Sequence, residues 1–245
     1  MKPIFAAAIL LAATPAFAQD GGLSNRPSIV VVGEGEAQQA PDTFRVIAEV
    51  EGRGATQVDA LRQLAATQDR LSADIQHLEG LQTARFSTGL PQVQPTHAAD
   101  CGQRYGGDED SCPVTGYRAA MSVTLEGAPI ARAGDAVSLA AERGARNARL
   151  DAVYLAADRG LQAQANQAAF ADARRQADAL AEASGQRVVR ILRIQDPGAR
   201  NYGSPTTEVE EVVVTGNRIR PAISLNVAPP PVRATARLTV VFEIE

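Results

Sequence analysis

The segment Val232–Ile244 alternates along its whole length. Val232, Ala234, Ala236, Leu238, Val240, Phe242 and Ile244 fall on one side, and Arg233, Thr235, Arg237, Thr239 and Glu243 on the other. That period of two belongs to a strand with one buried and one wet face. Two earlier segments share it. Phe44, Val46, Ala48 and Val50 oppose Thr43, Arg45, Glu49 and Glu51, with Ile47 as an exception, and Tyr117, Ala119, Met121, Val123 and Leu125 oppose Arg118, Ser122, Thr124 and Glu126. One-faced strands build antiparallel sheets, whereas a doubly wound parallel sheet needs near-continuous apolar strands.

Helical patterns separate the strands. Thr56, with Asp59 three residues on, resembles a capping box. Leu61, Leu64, Leu71, Ile75 and Leu78 then mark a stripe with a gap at Gln68, and Gly80 is a natural stop. Pro129 to Arg143, ended by Gly144, predicts a second helix. Leu161 to Ser184 predicts the longest, with an inward stripe of Leu161, Ala165, Ala168, Ala169, Ala173, Ala177, Leu180 and Ala181. Its alanines imply close packing on a flat surface. Short strands are expected at Leu150–Leu155 and Val188–Ile194. Ile29-Val30-Val31-Val32 reads as a buried strand that bends at Gly33-Glu34-Gly35, and Gly52 to Thr56 as a turn. Leu81 to Val93 is extended, and Pro91 and Pro95 limit it to an edge or a loop. The whole predicts an α+β fold: a mostly antiparallel sheet with helices packed on one face. Strand–helix–strand recurs at least twice, which suits an internal βαβ-type duplication. Two stretches interrupt it, a glycine-rich one at 95–113 and a mostly loop-like one at 197–231.

Composition narrows the function. Hydrophobic residues make up 45% and charged residues 21% of 245, a globular balance. Acids outnumber bases, 28 to 24, which disfavours a protein that grips nucleic-acid phosphates. The only lysine is Lys2.

The first eighteen residues read as an export signal: a positive start at Lys2, an apolar run Ile4–Ala13, and a small-x-small site Ala16-Phe17-Ala18. The run is too short to span a bilayer, and no later stretch reaches the roughly 18 apolar residues required. Cleavage after Ala18 leaves 23 arginines, no lysine and a formal charge of −5. A Schiff-base lysine, a Walker-A lysine and a Ser-Lys dyad are then excluded. The expected location is the periplasm. In that oxidising compartment Cys101 and Cys112 are candidates for one disulfide closing a glycine-rich loop. A metal site is the rival reading, but the cysteines lack close zinc spacing, and beyond His97 a fourth ligand is not evident.

No chemical motif stands out. Gly33-Glu34-Gly35 lacks the third glycine of a dinucleotide fingerprint, because position 38 is Gln38. There is neither G-x-S-x-G nor H-E-x-x-H. His77 sits near a helix end, where a cation suits the dipole. A hydrolase using His97 would need a serine and a carboxylate that the sequence does not single out. Asp108-Glu109-Asp110 lacks EF-hand spacing. We expect no catalytic residue, no metal and no cofactor.

Several pieces in order resemble the SIMPL-domain family of exported bacterial proteins, which includes periplasmic immunogenic and oxidative-stress defence proteins. They are Ile29-x-Val31-x-Gly33-x-Gly35, Pro41-Asp42, Gly54-Ala55-Thr56, Gly116-Tyr117-Arg118-Ala119, the long-helix run Ala168-x-x-Asp172-Ala173-Arg174-x-x-Ala177-x-x-Leu180-Ala181-x-x-x-Gly185, and the strand Ala234–Phe242. The match spans residues 28–245. The resemblance implies a non-catalytic α+β protein of a family in which some members assemble into rings. It supplies no catalytic residues.

Residues 98–113 and 208–220 depart from that family pattern. The second, Glu208-Val209-Glu210-Glu211-Val212-Val213-Val214-Thr215-Gly216-Asn217-Arg218-Ile219-Arg220, resembles the TonB box of outer-membrane receptors. Such a box works by adding a strand to a partner's sheet edge. Glu211, Val212, Val213, Val214, Thr215 and Gly216 are its candidate binding residues. The other reading is an edge strand on the protein's own sheet. Two functions follow: a self-assembling, scaffold or stress-protective envelope protein, and a TonB-linked binding protein. A hydrolase is the third.

Overall fold

A computed structural model describes residues 26–98, 112–198 and 218–245. The leader 1–18, Cys101, the acidic run 108–110 and the TonB-box residues Glu211–Gly216 lie outside them. The fold is α+β, with helices packed on antiparallel sheets.

Along the chain come β1 (Ser28–Gln39), β2 (Thr43–Gly54), α1 (Gln57–Gln76), β3 (Thr83–Thr88), β4 (Gln92–His97) and β5 (Val114–Ala128). A 3-10 turn (Ile130–Arg132) leads into α2 (Ala133–Glu142), and β6 (Arg146–Tyr154), α3 (Arg159–Ala183), β7 (Val188–Gln195) and β8 (Val232–Ile244) complete it. The chain divides into two compact units, one from residues up to Gly35 with Gln167–Ala199 and Ala236–Glu245, the other from Glu36–Asn166 and Arg200–Thr235. The division falls inside β1, α3 and β8.

In the larger unit β5 pairs with β2, and β2 with β6, all antiparallel. β3 and β4 lie one after the other along the free side of β5, Thr83 opposite Ala128 and Gln92 opposite Ala120. The expected edge is thus a strand broken at Gly89-Leu90-Pro91. The alternations of β2 and β5 hold: Phe44, Val46, Ala48, Val50, Ala119, Met121, Val123 and Leu125 are all buried. They meet Ala60, Leu64, Leu71 and Ile75 of α1 and Ala136, Leu139 and Ala140 of α2.

Thr56 caps α1 as expected, its hydroxyl accepting from the Asp59 amide at 3.2 Å. The gap in the stripe is Thr67, not Gln68, and Leu61 faces out. The burial row is set by Ala60 and Leu64, four apart, which turns Leu61 off the sheet. α1 stops at Gln76, and Gly80, with φ +78°, serves the turn beyond.

In the smaller unit the sheet order is β1-β8-β7. Ala169, Ala173 and Ala177 of α3 pack on Val31, Leu238, Val240 and Phe242. Leu180, placed in that stripe by residue type, is half exposed. The i, i+4 row of alanines decides the buried face, and Leu180 lies beside it.

The Gly33–Gly35 bend is not formed, because β1 runs through it. The turn expected over Gly52–Thr56 is shorter: β2 continues to Gly54, and the chain bends at Ala55-Thr56 into α1. A Cβ at Gly33 would lie 2.0 Å from the Ala169 carbonyl oxygen, and one at Gly52 2.2 Å from that of Ala60. These glycines let helices touch the sheet.

Candidate functional site

Of the sequence-derived disulfide pair, Cys112 alone is described. It precedes β5, and its carbonyl oxygen accepts a hydrogen bond from Nδ1 of His97 at 3.1 Å. His97 ends β4 on the surface, and this contact joins the two ends of the 98–113 connection. His77 follows α1, its Nδ1 buried without a hydrogen-bond partner.

The TonB-box-like segment enters the described structure at Arg218. Ile219 runs parallel to Leu78: its N–H donates to the His77 carbonyl at 2.8 Å, and its own carbonyl accepts from the Glu79 N–H at 2.9 Å. Its side chain packs against the Ile75–Leu78 core. Arg220 grips Glu79 through two nitrogens, Nη2 reaching Oε1 at 2.8 Å and Nε reaching Oε2. Those hydrogen bonds hold the Glu79 carboxyl below its usual range, aided by the charges of Arg220, Arg218 and Arg132. Residues 218–220 are therefore fixed to the end of α1.

Beside this anchor lies a cleft of about 400 Å³, lined by Glu79, Gly80, Arg132, Asp135, Arg218, Arg220, Pro221 and Ser224. Asp135 is buried. Its Oδ2 accepts from Arg132 Nη1 at 2.9 Å and its Oδ1 from the Ser224 hydroxyl at 2.7 Å. Arg132 lies over Gly80, where a Cβ would come 3.1 Å from its Nε. Sequence reasoning missed this cleft, because its residues come from three distant stretches. Its one local signal is Arg218-x-Arg220, a spacing that points two cations the same way from an extended chain.

The open face of the larger sheet carries an ionic ladder. The Glu51 side chain is only 5% exposed, with guanidinium nitrogens of Arg53 at 2.5 Å, Arg118 at 3.0 Å and Arg146 at 3.3 Å. Burial pushes its carboxyl up, but the hydrogen bonds and charges of Arg53 and Arg118 outweigh this and hold it below the usual range. Arg118 also binds Glu49. Further along, Glu126 takes Arg45 at 2.7 Å, and the Arg45 guanidinium lies 5.6 Å from the centre of the Tyr154 ring. Burial and the Glu126 charge raise the Tyr154 phenol. These groups tie β2 to its neighbours.

The smaller unit offers a different surface. Among the described residues β1 and β7 pair only with β8. β7 exposes Val189 (46%), Ile191 (40%) and Ile194 (50%), and β1 exposes Val30 (62%) and Val32. Arg193 of β7 has no ionic partner among the described residues, and Glu34 of β1 has only a 3.7 Å contact with Arg237.

Among the described residues no helix is long and apolar enough to cross a membrane, and no three metal-binding side chains gather. No curated protein matches the chain. A family model described as SIMPL, a protein of unknown function (DUF541), matches residues 29–242. It covers both sheets and all three helices of the described residues, so the chain belongs to the SIMPL family.

Proposed function

We propose that the protein is a non-catalytic periplasmic component of the cell envelope that acts by self-assembly, in a scaffold or stress-protective role. The observation that carries this reading is the pair of open strand edges in the smaller unit. Apolar edge strands are templates for pairing with another chain. One edge is valine-rich with Glu34, and the other carries isoleucines and Arg193. Joining β7 of one copy to β1 of the next matches charge and continues the sheet. Such a head-to-tail contact closes into a ring when its rotation permits.

Light scattering on the mature chain tests it. The expected result is an oligomer that Arg193→Glu or Glu34→Arg dissociates and the double swap Glu34→Arg/Arg193→Glu restores. A monomer at every concentration overturns the reading.

The anchor at Ile219 and Arg220 favours a second reading, a TonB-linked role for Glu208–Arg220. An anchored end lets a β-augmenting strand engage a partner without losing its place on the fold. Titration against the TonB periplasmic domain tests it. Deleting 208–217, which spares the anchor, is expected to abolish binding and leave folding intact. Binding retained by the deletion overturns it.

A further inference from the structure

We propose that the cleft between the end of α1 and the start of α2 binds a phosphoryl group. Three guanidinium groups, from Arg132, Arg218 and Arg220, line it against two carboxylates, Glu79 and Asp135. Both carboxylates are engaged within the protein. Glu79 takes two nitrogens of Arg220, and Asp135 takes Arg132 and Ser224. These pairs orient two of the cations without neutralising the third. Arg218 is exposed and has no acidic hydrogen-bond or ion-pair partner among the described residues.

The donor count points the same way. A guanidinium carries five N–H donors and accepts nothing. To described side chains Arg132 gives one, Arg220 two and Arg218 none. Among the described residues the cleft thus holds more donors than acceptors and one uncompensated positive charge. The ligand that matches is an anion with several acceptor oxygens, and Arg pairs with phosphate through two parallel bonds. The void exceeds what one phosphate fills, so the group arrives as a free ion or at the end of a larger molecule. Gly80 keeps the floor open, since a side chain there would press on Arg132.

Isothermal titration of the mature chain with inorganic phosphate, at ionic strength held constant with chloride, tests this. Saturable binding is expected, at least tenfold weaker in Arg218→Gln and in Arg132→Gln. Arg149→Gln, on another strand and outside the cleft, is expected to bind as the parent does. Arg218 is exposed and its side chain holds no described residue in place, so its variant stays informative if Arg132→Gln fails to fold. Phosphatidylglycerol vesicles, against phosphatidylcholine vesicles, separate the sources. Vesicle binding that Arg218→Gln removes and phosphate competes away assigns a lipid headgroup. Phosphate binding without vesicle binding assigns a soluble phosphate. No saturable binding of either, or binding that Arg218→Gln leaves unchanged, overturns the proposal.

Discussion

An alanine at position 33 would set its Cβ 2.0 Å from the Ala169 carbonyl oxygen and 2.6 Å from the Ala173 amide. Backbone cannot give way as a side chain does, so α3 must lift from the sheet. Overpacking of this kind costs about 1–3 kcal/mol or more. Denaturant titration of Gly33→Ala is expected to show that loss, and Gly52→Ala to show its counterpart at α1. Glu51 makes a second residue-level prediction. Its folded pKa lies below the ordinary 4.5. The unfolded chain therefore takes up that proton first as pH falls. The contribution is fully present above the unfolded value and disappears as pH drops through the folded one. Glu51→Gln should be less stable at neutral pH, by about 1 kcal/mol, because the arginines it leaves are partly exposed and screened by water. Its stability should also fall less steeply below pH 4.5. Urea unfolding from neutral to acid pH reads both.

For a helix, the ends and the buried row decide what each side chain does. Thr56→Ala removes the cap of α1 and is expected to cost about 1 kcal/mol. Leu180→Gln, on the exposed side of α3, is expected to stay within about 0.5 kcal/mol. Thermal unfolding of the two, side by side, checks the contrast. Strand periodicity in β2, β5 and β8 was legible because alternation is a local property of the chain. The cap at Thr56 was legible for the same reason. Leu61 and Leu180 misled because a leucine's type says it prefers burial, while the alanine rows settle which face touches the sheet. The glycines of β1 and β2 misled more deeply. Close approach and a turn call for the same residue, and only the partner, far along the chain, tells them apart. Of the arginine cleft only Arg218-x-Arg220 was legible, since three separated stretches supply the whole.

Assembly belongs to the whole molecule. If Arg193 and Glu34 meet across copies, the contact lies at the surface and salt screens it. The oligomer is therefore expected to shrink as sodium chloride rises, and light scattering across a salt series reads this. The apolar edge residues act the other way, because excluded salts strengthen burial. Sodium sulfate should then dissociate the oligomer less than sodium chloride at equal ionic strength. A last consequence follows from β4 and β5 being antiparallel neighbours, with Thr96 opposite Gly116. The stretch joining them leaves and returns at one edge, so its length is uncoupled from the sheet. Doubling such a connection costs only about 0.6 kcal/mol in closure entropy. The 98–113 connection is thus a natural splice point, where an epitope or a fluorescent reporter could be carried while the rest of the fold stays as it is.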